Sequence, residues 1–251
     1  MNDELHFSGD YASWREAANL AIGYDQKHIL EKVLSATLAV KTGKAVAQRD
    51  GVILEKIPYN FPLIATLLSA ALDNGNRLHV LDYGGSLGSS YFDSRDFVKP
   101  VSDLNWSIVE QPHFVAAGRT HVASKELHFF ETIEECAQTY PPNVIILSGV
   151  LQYLQNPWST LRQLHRLKNL YLFLDRTAFI IADSDRLTIQ HVPGWIYDAR
   201  FPAWFLSETK FLEWLSDSNY KIISEFPALD DYSLPGAIVA FKGFICRKIC
   251  T

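Results

Sequence analysis

Leu78-His79-Val80-Leu81-Asp82-Tyr83-Gly84-Gly85-Ser86-Leu87-Gly88 is the stretch on which the fold turns. A short apolar run ends in an acid and opens into a glycine-rich turn. Glycine carries no Cβ, so it tolerates φ > 0 and lets a ligand approach the main chain. An α/β protein uses such a turn to meet a nucleotide-like molecule. The next strand-like run, Asn105-Trp106-Ser107-Ile108-Val109, ends at a second acid, Glu110. Its distance of about twenty residues from the loop suits a carboxylate that accepts from ribose hydroxyls.

Outward from this loop, strand and helix patterns alternate. Strands are expected at 78–82, 105–110, 127–130, 143–148, 170–175, 220–226 and 237–246. Helices are expected at 89–98, 112–119, 132–138, 157–168 and 207–218. Strands separated by helical patterns imply a parallel sheet covered by helices. The last two strands are joined by a short loop containing Leu234-Pro235-Gly236, too short for a parallel crossover, so they should pair antiparallel. Residues 1–60 read as an N-terminal helical extension, with a capping box at Ser13-Trp14-Arg15-Glu16. Residues 61–251 read as the α/β domain. An aromatic insert at about 178–206 breaks its rhythm and reads as a loop of roughly thirty residues, a length usually tied to function.

The chain has 251 residues and a formal net charge of −5, which argues against a general nucleic-acid binder. Cys136, Cys246 and Cys250 lack metal-ligand spacing and form no paired framework, so no metal is expected. Apolar stretches are interrupted well short of a membrane span, and the first residues lack a basic region followed by an apolar core. A cytoplasmic protein is expected. A homo-oligomer is possible.

Seven strands with a terminal antiparallel pair, the glycine loop and the acid after the second strand resemble a class I S-adenosylmethionine-dependent methyltransferase. Ser148-Gly149-Val150-Leu151-Gln152-Tyr153-Leu154-Gln155-Asn156-Pro157 looks like the segment that follows the fourth strand in small-molecule methyltransferases. A narrower resemblance rests on Phe7-x-Gly9-x-Tyr11-x-Ser13-Trp14, the Leu81–Tyr91 stretch, Val109-Glu110-Gln111, Val150–Leu154 and Asp175-Arg176-Thr177. These together are similar to a family of methyltransferases associated with bacterial surface-polysaccharide biosynthesis. The resemblance implies a seven-stranded, Rossmann-like sheet, S-adenosylmethionine as cofactor, and a small-molecule or glycan acceptor methylated on oxygen. One departure stands out. The usual loop reads acid-x-Gly-x-Gly-x-Gly, and here Ser86 takes the middle glycine position.

On this reading Asp82 orients the loop or meets the methionine ammonium. The backbone at Gly84, Gly85, Ser86 and Gly88 lines the cofactor, with Ser148 after the fourth strand. Glu110 takes the ribose and Gln111 flanks the adenine. Gln152, Tyr153, Trp195, Tyr197 and Trp204 are acceptor-binding candidates, aromatic faces with polar neighbours being suited to sugars. Asp175, Arg176 and His191 are the candidates for acceptor chemistry: His191 as general base, since imidazole titrates near neutrality, and Arg176 as an anion fork. Plainer roles compete with these: junction packing for Tyr153, an ion pair with a nearby Asp for Arg176, a satellite core for the aromatics. Two other functions also compete: a catalytically inactive cofactor-binding partner of the same fold, and a nicotinamide-dependent sugar oxidoreductase. The G-x-G-x-x-G spacing that an oxidoreductase needs is missing.

Overall fold

A computed structural model describes residues 5–21, 27–194, 199–230 and 232–249. The first part of the chain forms β1 (His6–Ser8), α1 (Trp14–Ala18), α2 (Lys27–Lys41), β2 (Ala47–Arg49), β3 (Val52–Leu54) and α3 (Phe61–Asp73). The alternating part follows with β4 (Arg77–Tyr83), α4 (Ser89–Val98), β5 (Asp103–Val109), α5 (Pro112–Ala117), β6 (Leu127–Phe130), α6 (Ile133–Thr139), β7 (Val144–Ser148) and α7 (Pro157–His165). Then come β8 (Tyr171–Ile180), β9 (Arg186–Val192), β10 (Ala199–Ser207), α8 (Glu208–Asp217), β11 (Tyr220–Pro227) and β12 (Val239–Lys248). Among the described residues no helix is long and apolar enough to cross a membrane.

These elements fall into two compact units. One, the glycine-loop unit, takes Lys27–Leu147 and Gln163–Phe173; the other, the terminal unit, takes Met1–Gln26, Ser148–Arg162 and Leu174–Thr251.

The glycine-loop unit is built on parallel strands in the order β7-β4-β5-β6. Leu78, Val80 and Leu81 of β4 and Val144 to Leu147 of β7 are almost fully buried. Such continuous apolar runs belong to strands covered on both faces. The chain goes one way from β4 to β5 and β6, then returns to place β7 on the other side of β4. That reversal makes the carboxyl end of β4 the switch point where open α/β sheets bind ligands. Helix α3 leads in, capped by Asn60, whose Oδ1 accepts from Leu63 N–H at 3.0 Å. Asp50-Gly51 turns β2 into β3 with φ of 51° and 80°, a two-residue hairpin.

One residue ties the start of this sheet together. The Asn143 side chain accepts from His79 N–H at 2.8 Å and donates to the Arg77 carbonyl at 2.9 Å. Its backbone donates to the His79 carbonyl and accepts from Leu170 and Tyr171. Asn143 thereby continues the ladder beyond the point where β4 and β7 pair directly.

In the terminal unit β11 and β12 pair antiparallel, as the short connecting loop predicts, and β12 also pairs β8. The expected aromatic loop is instead strand. β8 continues to Ile180, and β9 and β10 form an antiparallel pair that β1 joins from the N-terminal region. Arg186-Leu187-Thr188-Ile189-Gln190-His191-Val192 alternates its side chains between two apolar layers, and burial on both sides makes it a strand. Phe7, Ala203 and Phe205 lie in one layer. Leu187 and Ile189 lie in the other, beneath Ala17 of α1.

Asn143→Ala should lower unfolding free energy by about 1–3 kcal/mol, the cost of stranding buried backbone partners. Urea denaturation measures it, and an unchanged midpoint would show that His79 and Arg77 find other partners.

Candidate functional site

The glycine-loop unit supplies the better-defined half of the candidate residues. Asp82, near the end of β4, is 1% exposed. Trp106 of β5, itself fully buried, donates its indole N–H to Asp82 Oδ2 at 3.1 Å. Burial outweighs that bond and raises the Asp82 carboxyl to about 7. The loop closes directly over the carboxylate. A Cβ on Gly85 would lie 2.5 Å from Asp82 Cγ and 2.6 Å from Oδ2, so only glycine fits. Gly84 has φ 73° and donates to the Val109 carbonyl at 2.9 Å. Gly88 has φ 94°, caps α4 and donates to the Gly85 carbonyl at 2.9 Å. Ser86 adopts φ 53°, so the conformation usual for glycine is kept with a serine in place. A side chain in this region costs roughly 1–2 kcal/mol. The start of α4 is braced from β2: Gln48 Nε2 donates to Ser89 Oγ at 2.7 Å.

Glu110 follows β5. Its Oε2 accepts from Gln111 N–H at 3.1 Å. Lost hydration raises its carboxyl to about 7; the Gln111 amide opposes the rise and the charge of Asp82 adds to it. Asp82 and Glu110 therefore sense each other in dry surroundings. Gln111 sits at the N-cap of α5 without a side-chain cap bond, partly exposed.

The terminal unit holds the other candidates. Ser148 ends β7, and Gly149 (φ 63°) donates to the Asp175 carbonyl at 2.9 Å. Gln152, 2% exposed, donates to the Arg176 carbonyl at 2.9 Å. Asp175, Arg176, Gly149 and Gln152 are thus brought together. Arg176 adopts φ 53°, held by Asp175 Oδ1, which accepts from its N–H at 2.8 Å. Its guanidinium is a fork on Asp230, at 2.7 Å from Nε and 3.2 Å from Nη2. The anion fork expected for a ligand is filled by the chain's own carboxylate. Tyr153 packs edge-on to Phe201 at 5.3 Å.

His191 is not with Asp175 and Arg176. It lies on β9, which β10 separates from β8. Its ring stacks on His6 at 4.5 Å, and Nε2 is 2.8 Å from Ser8 Oγ. Burial lowers its pKa, with His6 and Arg200 adding to the effect. These contacts give the imidazole a place in strand pairing, one strand removed from the other two acceptor-chemistry candidates. Trp204 donates to the Leu154 carbonyl at 3.1 Å and stacks with Trp14, in the layer of Leu187 and Ile189. Its indole packs in that layer. Trp195 and Tyr197 lie outside the described residues.

Sequence reading passed over Trp106 and Asp230. The paired strand positions of Trp106 and Val80 are a clue to the first, since they place the indole beside β4. Nothing local points to Asp230, which is 54 positions from Arg176.

No family model and no curated protein sequence matches the chain. Solved structures do. The N-terminal domain of EvdMO1, crystallised in the presence of S-adenosylhomocysteine and D-fucose, is 10% identical with a TM-score of 0.50, over 89% of this chain and 100% of that one. Magnesium protoporphyrin IX methyltransferase from Synechocystis PCC 6803, with bound S-adenosylmethionine, is 13% identical with a TM-score of 0.48, over 90% and 87%. The chain has the class I, Rossmann-like methyltransferase fold.

The two raised carboxyls set a pH dependence. Between about pH 4 and 7 the unfolded chain has released protons that native Asp82 and Glu110 still hold, so stability falls as pH rises through this window. Asp82→Asn should make that fall shallower. Urea midpoints from pH 4.5 to 8 test this, and identical slopes for variant and parent would refute it.

Proposed function

We propose that this protein is an S-adenosylmethionine-dependent methyltransferase acting on an oxygen of a sugar or glycan precursor, in surface-polysaccharide biosynthesis. The observation that carries the cofactor reading is the carboxylate pair at the switch point: Asp82 under a loop where Gly85 admits no side chain, and Glu110 at the next strand end. S-adenosylmethionine carries a sulfonium and an ammonium, and its ribose offers hydroxyl donors. A buried and a half-buried carboxyl, both raised to about 7, suit a ligand of that charge, which favours their ionised forms. They oppose the pyrophosphate of a nicotinamide dinucleotide, whose glycine spacing the loop also lacks. The structural neighbours' ligands agree with this choice.

On this reading Glu110 keeps Oε2 on the Gln111 amide and offers its other oxygen to a ribose hydroxyl. Asp82 fixes the loop through Trp106 and the space under Gly85. Backbone groups at Gly84, Ser86 and Gly88 lie along the cofactor, with Gln111 flanking the adenine. When bound, the cofactor supplies an electrophilic methyl group. The terminal unit receives the acceptor around Tyr153, Gln152 and Asp175. Because Arg176 is engaged by Asp230 and His191 by its strand neighbours, the proposed catalysis rests on holding the acceptor oxygen in line with the methyl group, the hydroxyl proton leaving to water as the C–O bond forms and the C–S bond breaks. Orientation alone can supply much of a barrier reduction. The oxygen preference and the sugar class rest on the motif resemblances at Val150–Leu154 and Asp175-Arg176-Thr177.

Calorimetry with S-adenosylhomocysteine and with NAD tests the cofactor. The first should bind and the second should not. Glu110→Ala should weaken the first by about 1.5–3 kcal/mol, the range for a hydrogen bond to a charged group. Absence of S-adenosylhomocysteine binding at millimolar concentration, by calorimetry and thermal shift alike, would overturn the reading.

A further inference from the structure

The edge sheet of the terminal unit sorts neighbouring residues onto opposite faces, and that sorting separates Gln190 from His191. Residues directly opposite each other in an antiparallel pair share a face. His191 is opposite His6 and Arg200, whereas Gln190 is opposite Phe7 and Phe201. The face of His191 also carries Leu187, Ile189 and Trp204, the layer under α1. The face of Gln190 carries Phe7, Ala203 and Phe205, and Tyr153 packs against that layer. Phe201, half-buried, meets Tyr153 edge-on. Tyr153 belongs to a short 3₁₀ turn, Leu151–Tyr153, that includes Gln152.

Gln190 is 5% exposed, and among the described residues its amide oxygen has no hydrogen-bond partner. Gln152 Oε1, in the turn that bears Tyr153, is likewise buried with no partner among the described residues. A buried acceptor left unsatisfied is expensive, so natural chains keep few of them and those few call for an explanation. Here both are carbonyl oxygens, which accept and do not donate. Both belong to the part of the terminal unit where Tyr153 and Phe201 present aromatic surface. A ring with hydroxyl donors and C–H faces satisfies each element: hydroxyls for the two oxygens, C–H for the aromatic rings.

We infer that Gln190 is an acceptor-binding residue: its amide oxygen accepts from a hydroxyl of a sugar ring that lies against Phe201 and Tyr153. The inference rests on the methyltransferase reading for its purpose, but the sugar contact is separable from cofactor binding. Gln190 orients the ring and takes no proton from it, since an amide oxygen is far too weak a base at neutral pH. The catalytic expectation placed on His191 is thus replaced by a positioning contact from the adjacent residue.

The test titrates D-glucose, D-galactose, L-rhamnose and D-fucose, each to 100 mM, into the full chain saturated with S-adenosylhomocysteine, read by saturation-transfer NMR. At least one sugar should bind saturably. Gln190→Leu should weaken that sugar at least tenfold, leave S-adenosylhomocysteine affinity within twofold, and keep or raise Tm, because it replaces an unpaired polar atom with an apolar one. Gln190→Met is the second variant, should Leu pack poorly. His191→Ala should leave sugar binding within twofold. Binding of none of the sugars by the parent, or undiminished binding by the folded Gln190 variants, overturns the inference. So does failure of both variants to fold, which would make Gln190 a packing residue. Loss of S-adenosylhomocysteine binding by the parent would instead strike the methyltransferase reading.

Discussion

The space between the Asp82 carboxylate and the backbone of Gly85 is too small for a methyl group, and much of the glycine-loop unit is arranged around that fact. The carboxylate is held from β5 by the Trp106 indole, so the register of β4 against β5 is set where the loop begins. The loop then descends through left-handed positions at Ser86 and Gly88 into α4. Gln48 braces the first residue of that helix from the β2–β3 hairpin. An ionisable group buried at a strand end is costly. Its retention makes sense where a cationic or hydroxylated ligand completes its surroundings.

Much of the parallel sheet was legible because its strands are short apolar runs set between helical patterns. Leu78–Asp82, Asn105–Glu110 and Asn143–Ser148 needed only that contrast. The edge sheet was harder. Arg186–Val192 does alternate, but β1 that flanks it comes from the far end of the chain, and non-local pairing leaves no local mark. Face assignment was harder still. A shift of one residue reverses which side chains meet the core, and Gln190 and His191 differ by that single step. Chemistry made His191 the more eye-catching of the two; register made Gln190 the one beside Phe201. For Arg176 an ion pair with an Asp was weighed from the start, but the partner, Asp230, lies 54 positions away and leaves no local mark. The Asp50-Gly51 hairpin, by contrast, was open to reading from its dipeptide and went unread.

Ser86 and Arg176 are two non-glycine residues held at positive φ, one beyond β4 and one within β8, beside candidate ligand groups. Each unit thus places a strained backbone position among its site candidates. Strain of this kind persists only where surroundings over-determine it. At Arg176 they visibly do: Asp175 takes its N–H, Gln152 donates to its carbonyl, and Asp230 grips its guanidinium. Three anchors on one residue hold this point of β8 firmly, and firm placement is what a mechanism based on orientation requires.

The bond between Ser8 and His191 spans 183 positions of sequence. Contacts that distant slow folding, since a long loop must close before they give any return. The glycine-loop unit draws on a nearly continuous middle segment, whereas the terminal unit gathers its pieces from both ends of the chain. During synthesis the middle can organise while β9, β10 and β12 are still unmade, and β1 must wait for β9. The proposed acceptor wall therefore comes into being only after β9 and β10 are made, and a nascent chain acquires its glycine loop before that surface.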